Sequence, residues 1–128
     1  MLRFFYVAIG GALGAVLRYV VSGWSHRIFP GILPWGTLVV NLSGSLIIGV
    51  LWAVFEGSII SQNIRLMILV GILGSYTTFS TFSLESFNLF RDGEYGFFFL
   101  NIFSNLILSL GCVFAGYILT NYILTTAK

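Results

Sequence analysis

Charge is what this chain has least of. Only 8% of its 128 residues are Asp, Glu, Lys or Arg, against 58% hydrophobic, and its mean hydropathy is +1.00. Soluble domains are about 25% charged, so a water-facing surface cannot be built from this composition. Cysteine is nearly absent as well. Cys112 stands alone, which excludes an internal disulfide and a thiolate metal cage. His26 is the only histidine, so no conventional nucleophile–base pair can be assembled and an enzyme reading has no catalytic constellation behind it. A net charge of +2 is too small for a nucleic-acid binder. Residues 1–128 therefore read as one all-α integral membrane domain with a role in transport, conduction or assembly.

Long apolar windows are what the chain does have. They fall at roughly residues 4–22, 34–55, 65–90 and 96–124, each at or above the ~20 residues needed to cross a bilayer. Polar breaks separate them: Ser25-His26-Arg27 with Pro30 and Pro34, then Glu56 to Asn63, then Arg91-Asp92-Gly93-Glu94. The first window lacks a small-residue cleavage site and leads into further spans, so it reads as a span and not as a signal peptide. The last two windows exceed a plain span and must tilt, protrude or break.

Four spans put both termini on one side of the membrane. That side carries Arg3, Arg65 and Lys128; the other carries Arg27 and Arg91, with Arg18 near that end of the first span. The positive-inside rule orients a protein by its Lys/Arg imbalance, and here there is almost none. One reading is a weak bias hidden by small counts. The other, favoured by the balance, is dual topology with an antiparallel homodimer as its product. Four helices also hold too little material to enclose a polar path, so association with a second copy is expected. Gly10, Gly11, Gly14 and Ala15 in the first span, and Gly44 and Gly49 in the second, permit close helix approach.

Polar residues recur at helical spacing. Thr37, Asn41, Ser45 and Gly49 form one stripe on the second span, and Asn101, Ser104, Asn105, Ser109 and Cys112 another on the fourth. Facing each other, the stripes line a narrow anion path or form a dry hydrogen-bonded seam; spacing alone leaves both open. Taken singly, Asn41 reads better as interhelical glue, worth only ~0.6–2 kcal/mol. Arg18 and Glu85 are the ionisable residues nearest membrane depth, and such residues are functional candidates. For Arg18, snorkelling to the interface competes evenly with an ionic role. Glu85 fits a vestibule mouth, because in an anion constriction it would repel the ion.

The densest chemistry lies at residues 74–83, Gly-Ser-Tyr-Thr-Thr-Phe-Ser-Thr-Phe-Ser, with six serines and threonines in ten positions. In hydrocarbon each unpartnered polar group costs several kcal/mol, so these hydroxyls must face protein, a cavity or an ion. The run predicts a third helix broken at mid-membrane. Unwound carbonyls commonly bind Na⁺, and no acidic ligand lies nearby, which favours a monovalent cation over Ca²⁺ or Mg²⁺. Phe79 and Phe82 alternate with Ser80 and Thr81 beside that break, where positive aromatic edges can receive an anion without a full charge.

Gly10-Gly11-Ala12-Leu13-Gly14-Ala15-Val16-Leu17-Arg18-Tyr19, Gly36-Thr37-Leu38-Val39-Val40-Asn41, and the run from Gly71 through Thr77-Thr78-Phe79-Ser80-Thr81-Phe82 to Glu85 together resemble the Fluc-type (CrcB) fluoride channels. The likeness covers nearly the whole chain, and its Thr-Thr-Phe-Ser-Thr-Phe element is the most specific part. It implies a multi-pass channel of the bacterial plasma (inner) membrane that passively exports fluoride. It also implies an antiparallel, dual-topology homodimer with two pores and a central structural Na⁺. By position, the carbonyls of Gly74 and Thr77 would hold the Na⁺, and Phe79 and Phe82 would be pore phenylalanines drawn from different subunits. Asn41 would be the pore amide, Ser80 and Thr81 the polar track, Asn105 and Ser109 its fourth-helix neighbours, and Arg18 and Glu85 the vestibule charges. Gly74-Ser75 departs from the Gly-Gly of many members, which backbone ligands should tolerate. Two alternatives stand beside it: a small four-helix multidrug exporter, which needs a deep carboxylate the first span lacks, and a non-conducting assembly subunit. The latter explains Asn41 and Asn105 but not the hydroxyl–phenylalanine run.

Overall fold

A computed structural model describes residues 1–126; Lys128, part of the charge balance above, lies outside them. Helix α1 spans Leu2–Ile28, α2 Trp35–Glu56, α3 Gln62–Arg91 and α4 Tyr95–Thr126. All four are long and apolar enough to cross a membrane, as the hydropathy windows predict. One boundary differs. Ser25, His26 and Arg27 do not separate the first two spans but continue α1, because polarity does not stop a helix whose backbone bonds persist. Ser25 Oγ donates to the Val21 carbonyl at 2.8 Å, and the Phe29 N–H still reaches the Ser25 carbonyl at 2.9 Å. The chain leaves the helix at Phe29, the residue before Pro30, where proline disfavours the α conformation.

Two seams hold the bundle. In the first, α1 lies on the 62–76 half of α3 with Gly10 against Gly71; a Cβ on Gly10 would strike the Met67 carbonyl, and one on Gly14 the Ile72 carbonyl. In the second, α2 lies along α4, with Gly49 against the Val113 carbonyl and Gly116 against the Leu46 carbonyl. Small residues let backbones touch, which is how helices gain packing energy in lipid. Between the seams Leu38, Val40, Leu73, Tyr76, Phe82 and Leu89 are buried. Arg65 closes the α2–α3 connection: its guanidinium donates to the Phe55 and Ser58 carbonyls at the end of α2 and lies 5.6 Å from the Phe55 ring centre. A cation there satisfies orphan carbonyls and the negative helix end together.

Neither α3 nor α4 is a uniform helix. Leu66–Leu73 in α3 and Ser104–Leu108 in α4 are wound as π-helix, a form that concentrates at functional sites. The apolar periodicity contains no sign of either. In α3, one α-turn (Gly74–Tyr76) follows, then Thr77 (ψ 157°) and Thr78 (φ −149°, ψ 125°) are extended, and helix resumes over Phe79–Arg91.

Candidate functional site

The extended pair at Thr77 and Thr78 redirects a short stretch of backbone bonding. In an uninterrupted α-helix the Thr78 N–H would donate to the Gly74 carbonyl, and the Thr81 N–H to the Thr77 carbonyl. Here the Thr78 N–H donates to Asn41 Oδ1 at 2.9 Å, and the Thr81 N–H to Thr78 Oγ1 at 3.2 Å. The carbonyls of Gly74 and Thr77 thereby lose their α-helical donors. Thr78 is the N-cap of the resumed helix, a position where threonine is strongly favoured.

Asn41 meets Thr78 at two points. Its Oδ1 accepts the Thr78 N–H, and its Nδ2 donates to the Thr78 carbonyl at 3.1 Å. A side-chain amide thus takes the place of a neighbouring peptide for the backbone that left the helix. The second Nδ2 hydrogen goes to Asn105 Oδ1 at 2.9 Å, so the stripes of α2 and α4 do face each other. Asn105 Nδ2 donates in turn to the Asn101 carbonyl at 3.1 Å and to Asn101 Oδ1 at 2.9 Å. Both amides are therefore fully engaged as donors. Ser109 differs: its Oγ is buried with no partner among the described residues.

These groups border an open cavity of about 390 Å³ that includes Asn41, Gly74, Thr77, Phe79, Phe82, Asn105 and Ser109. Its lining contains no acidic or basic side chain. Phe79 and Phe82 sit with ring centres 5.4 Å apart at 57°, a tilted pair that turns edge toward face. Their settings are opposite, since Phe82 is 6% exposed and Phe79 71%. Tyr76 pins the near side of the break to α2 through a 2.8 Å bond between its hydroxyl and Ser43 Oγ.

Thr78 also borders a second cavity, about 460 Å³, with Arg18, Ser22, His26, Thr37 and Thr81. Thr81 Oγ1 lies 3.0 Å from Thr78 Oγ1 and Ser80 Oγ 3.4 Å from it, so one hydroxyl cluster stands between the two cavities. Glu85 lies elsewhere. Its Oε1 accepts from Thr37 Oγ1 at 2.8 Å, and it lines a cavity of about 240 Å³ with Asn88, Asp92 and Glu94. Thus Asn41, Gly74, Thr77, Phe79, Phe82, Asn105 and Ser109 gather at one cavity; Arg18 and Thr81 share a second, with Ser80 in the hydroxyl cluster at its edge, and Glu85 has a third. Sequence reasoning passed over Thr78, Tyr76 and Ser43 as site residues. Threonine three residues ahead of Thr81 at a helix restart was the available signal for Thr78; Tyr76 lay inside the 74–83 run without being singled out, and nothing marked Ser43.

Comparison with known proteins identifies the family. A family model described as CrcB-like protein, Camphor Resistance (CrcB), matches residues 5–117. A protein of Parabacteroides distasonis named fluoride-specific ion channel FluC is 41% identical over 128 residues, all of both chains. Proteins of the same name from Magnetococcus marinus (46% over 118 residues, 88% of this chain and 90% of theirs) and Agrobacterium fabrum (43% over 117, 91% and 94%) are similarly close. With four apolar helices and this kinship, the molecule is a multi-pass protein of the bacterial inner membrane and not an enzyme. A match of that extent, together with full-length relatives above two-fifths identity, establishes that the chain belongs to the CrcB-like family.

Proposed function

We propose that this protein is a fluoride-selective channel that lets F⁻ run passively out of the cytoplasm. The observation that carries the reading is the cavity at the break, where the Phe79 and Phe82 rings, a Ser109 hydroxyl without a partner among the described residues and Thr78 at a helix N-terminus meet without a charged side chain. Fluoride is small and strongly hydrated, so close donors must replace its water. Donors without a fixed cation bind weakly enough for the ion to leave, as conduction requires. Ser80, Thr81 and Ser109 offer hydroxyls, and the Asn41 N–H now held by Asn105 is the donor an arriving anion competes for. Relatives that carry the fluoride-channel name support the choice of ion. A multidrug exporter lacks support, since no acidic side chain lines the cavity at the break.

The working unit is an antiparallel, dual-topology homodimer with two pores. One chain leaves the cavity open and Phe79 largely uncovered, and a second copy inserted in the opposite sense would close both. A structural Na⁺ at mid-membrane fits the donor set. The carbonyls of Gly74 and Thr77 are among those that the extended pair deprives of α-helical donors, and Cβ-free Gly74 leaves room beside its backbone. Two copies would supply four oxygens, and the ion would add positive potential beside an uncharged anion path.

Fluoride efflux from liposomes holding the purified protein, followed by electrode with valinomycin as the potassium shunt, tests the reading. Rapid valinomycin-dependent F⁻ release with negligible Cl⁻ release is the expected result. No release from verified dimers would sink the channel and leave the polar stripes as packing.

A further inference from the structure

Asn101 has no exposed surface at all, and it lies a helical turn beyond Asn105, outside the residues that line the cavity. A buried amide in such a place is costly unless every group is paired. Here each is used. Asn101 Nδ2 donates to Ser86 Oγ at 3.0 Å, and the Ser86 hydroxyl donates onward to the Phe82 carbonyl at 2.8 Å. Asn101 Oδ1 accepts from Asn105, Asn105 Oδ1 accepts from Asn41, and Asn41 closes on the Thr78 peptide. The result is a one-way chain of donors running from Asn41 to the Phe82 carbonyl. Backbone groups anchor both ends. Reversing the Asn41 or the Asn105 amide would set donor against donor on one side and acceptor against acceptor on the other, and reversing Asn101 would set its Nδ2 against that of Asn105.

We infer that Asn101 is a positioning residue: through Asn105 it fixes which way the Asn41 amide presents its oxygen and its N–H groups to Thr78 and the cavity. Its consequence for ion flow rests on the channel reading above; the relay itself does not. Ser86 and Ser83 provide a matched pair for the test. Both hydroxyls donate to the carbonyl four residues back, at 2.8 and 2.9 Å, but only Ser86 accepts from Asn101. Removing the Ser86 hydroxyl leaves an Asn101 N–H orphaned in a dry site, which the chain relieves only by disturbing Asn105.

The experiment compares full-length Ser86→Ala, Ser83→Ala and wild type. The side-chain amide resonances of Asn41 and Asn105 are read by ¹⁵N NMR in micelles, and fluoride efflux from liposomes is measured on the same samples. Ser86→Ala should shift both amides and slow efflux roughly tenfold, the effect of one orphaned buried donor. Ser83→Ala should leave the amides in place and efflux within about twofold. Asn101→Ala should act in the same direction more strongly, and if it does not fold, Ser86→Ala still decides. Unmoved Asn41 and Asn105 signals in Ser86→Ala overturn the inference, and so does wild-type efflux from that variant. Shifted amides in a protein whose wild type passes no fluoride would uphold the relay and sink the channel reading.

Discussion

α1 meets the 62–76 half of α3 in close backbone contact, with Gly10 against Gly71 and Gly14 against the Ile72 carbonyl, and an Arg3–Gln62 side-chain bond at its exposed end. The α2–α4 seam begins the same way, at Gly49 and Gly116, but toward its other end passes into the amides of Asn41, Asn105 and Asn101. The first seam is packed backbone against backbone at its glycines; the second opens into the cavity. The difference follows from what each must accommodate. Packing two intact helical segments requires only the absence of side chains, whereas a segment with extended residues needs a partner that replaces lost backbone bonds. Glycine serves the one and asparagine the other.

The largest effects are expected at the two seams, beginning with a side chain added between the glycines. In Gly14→Val the new Cβ meets the Ile72 backbone, which cannot yield as a side-chain tip would. The cost should reach the top of the ~1–3 kcal/mol range for overpacking, read as loss of monodisperse protein in size-exclusion chromatography. Next comes the polar seam. Asn41→Ala orphans both the N–H and the C=O of Thr78, at ~1–3 kcal/mol each, so fluoride efflux should vanish and the thermal midpoint fall. Asn41→Asp keeps the acceptor for the Thr78 N–H but loses the donor and adds charge. It should abolish efflux with the smaller thermal loss.

Phe79 and Phe82 separate conduction from stability. Phe79→Ile, at an exposed ring, should cut fluoride efflux sharply while the thermal midpoint holds. Phe82→Ala should cost roughly 3 kcal/mol of stability as well. Ser109→Ala breaks no bond among the described residues, so efflux should fall roughly tenfold with an unchanged melting curve, as for one lost donor to an ion. Smallest of all, Gly11→Ala brings a Cβ to 3.3 Å from the rotatable Ser75 Oγ. It should stay within ~0.5 kcal/mol of wild type by thermal melting, in contrast to Gly14 three residues along.

Much of this was open to inspection in the residues. Hydropathy located four helices, because hydrocarbon tolerates little else, and helical spacing put Asn41 and Asn105 on stripes that do meet. The hydroxyl-rich run drew attention to Thr77 and Thr78, whose dihedrals are extended. The polar triplet Ser25-His26-Arg27 misled, since charge marks where lipid ends and not where a helix does. Asn101 looked like any member of its stripe; only packing shows that it is sealed against Ser86 while Asn105 reaches the cavity.

Composition and periodicity alone determined that the chain crosses a membrane four times and carries its chemistry near residues 74–83, because burial in lipid penalises every polar group that lacks a purpose. Which polar groups pair with which was decided only in three dimensions. A hydrogen bond depends on distance and direction across helices far apart in sequence, and that geometry commits the amides of Asn41 and Asn105 within the chain while leaving the hydroxyl of Ser109 without a partner among the described residues.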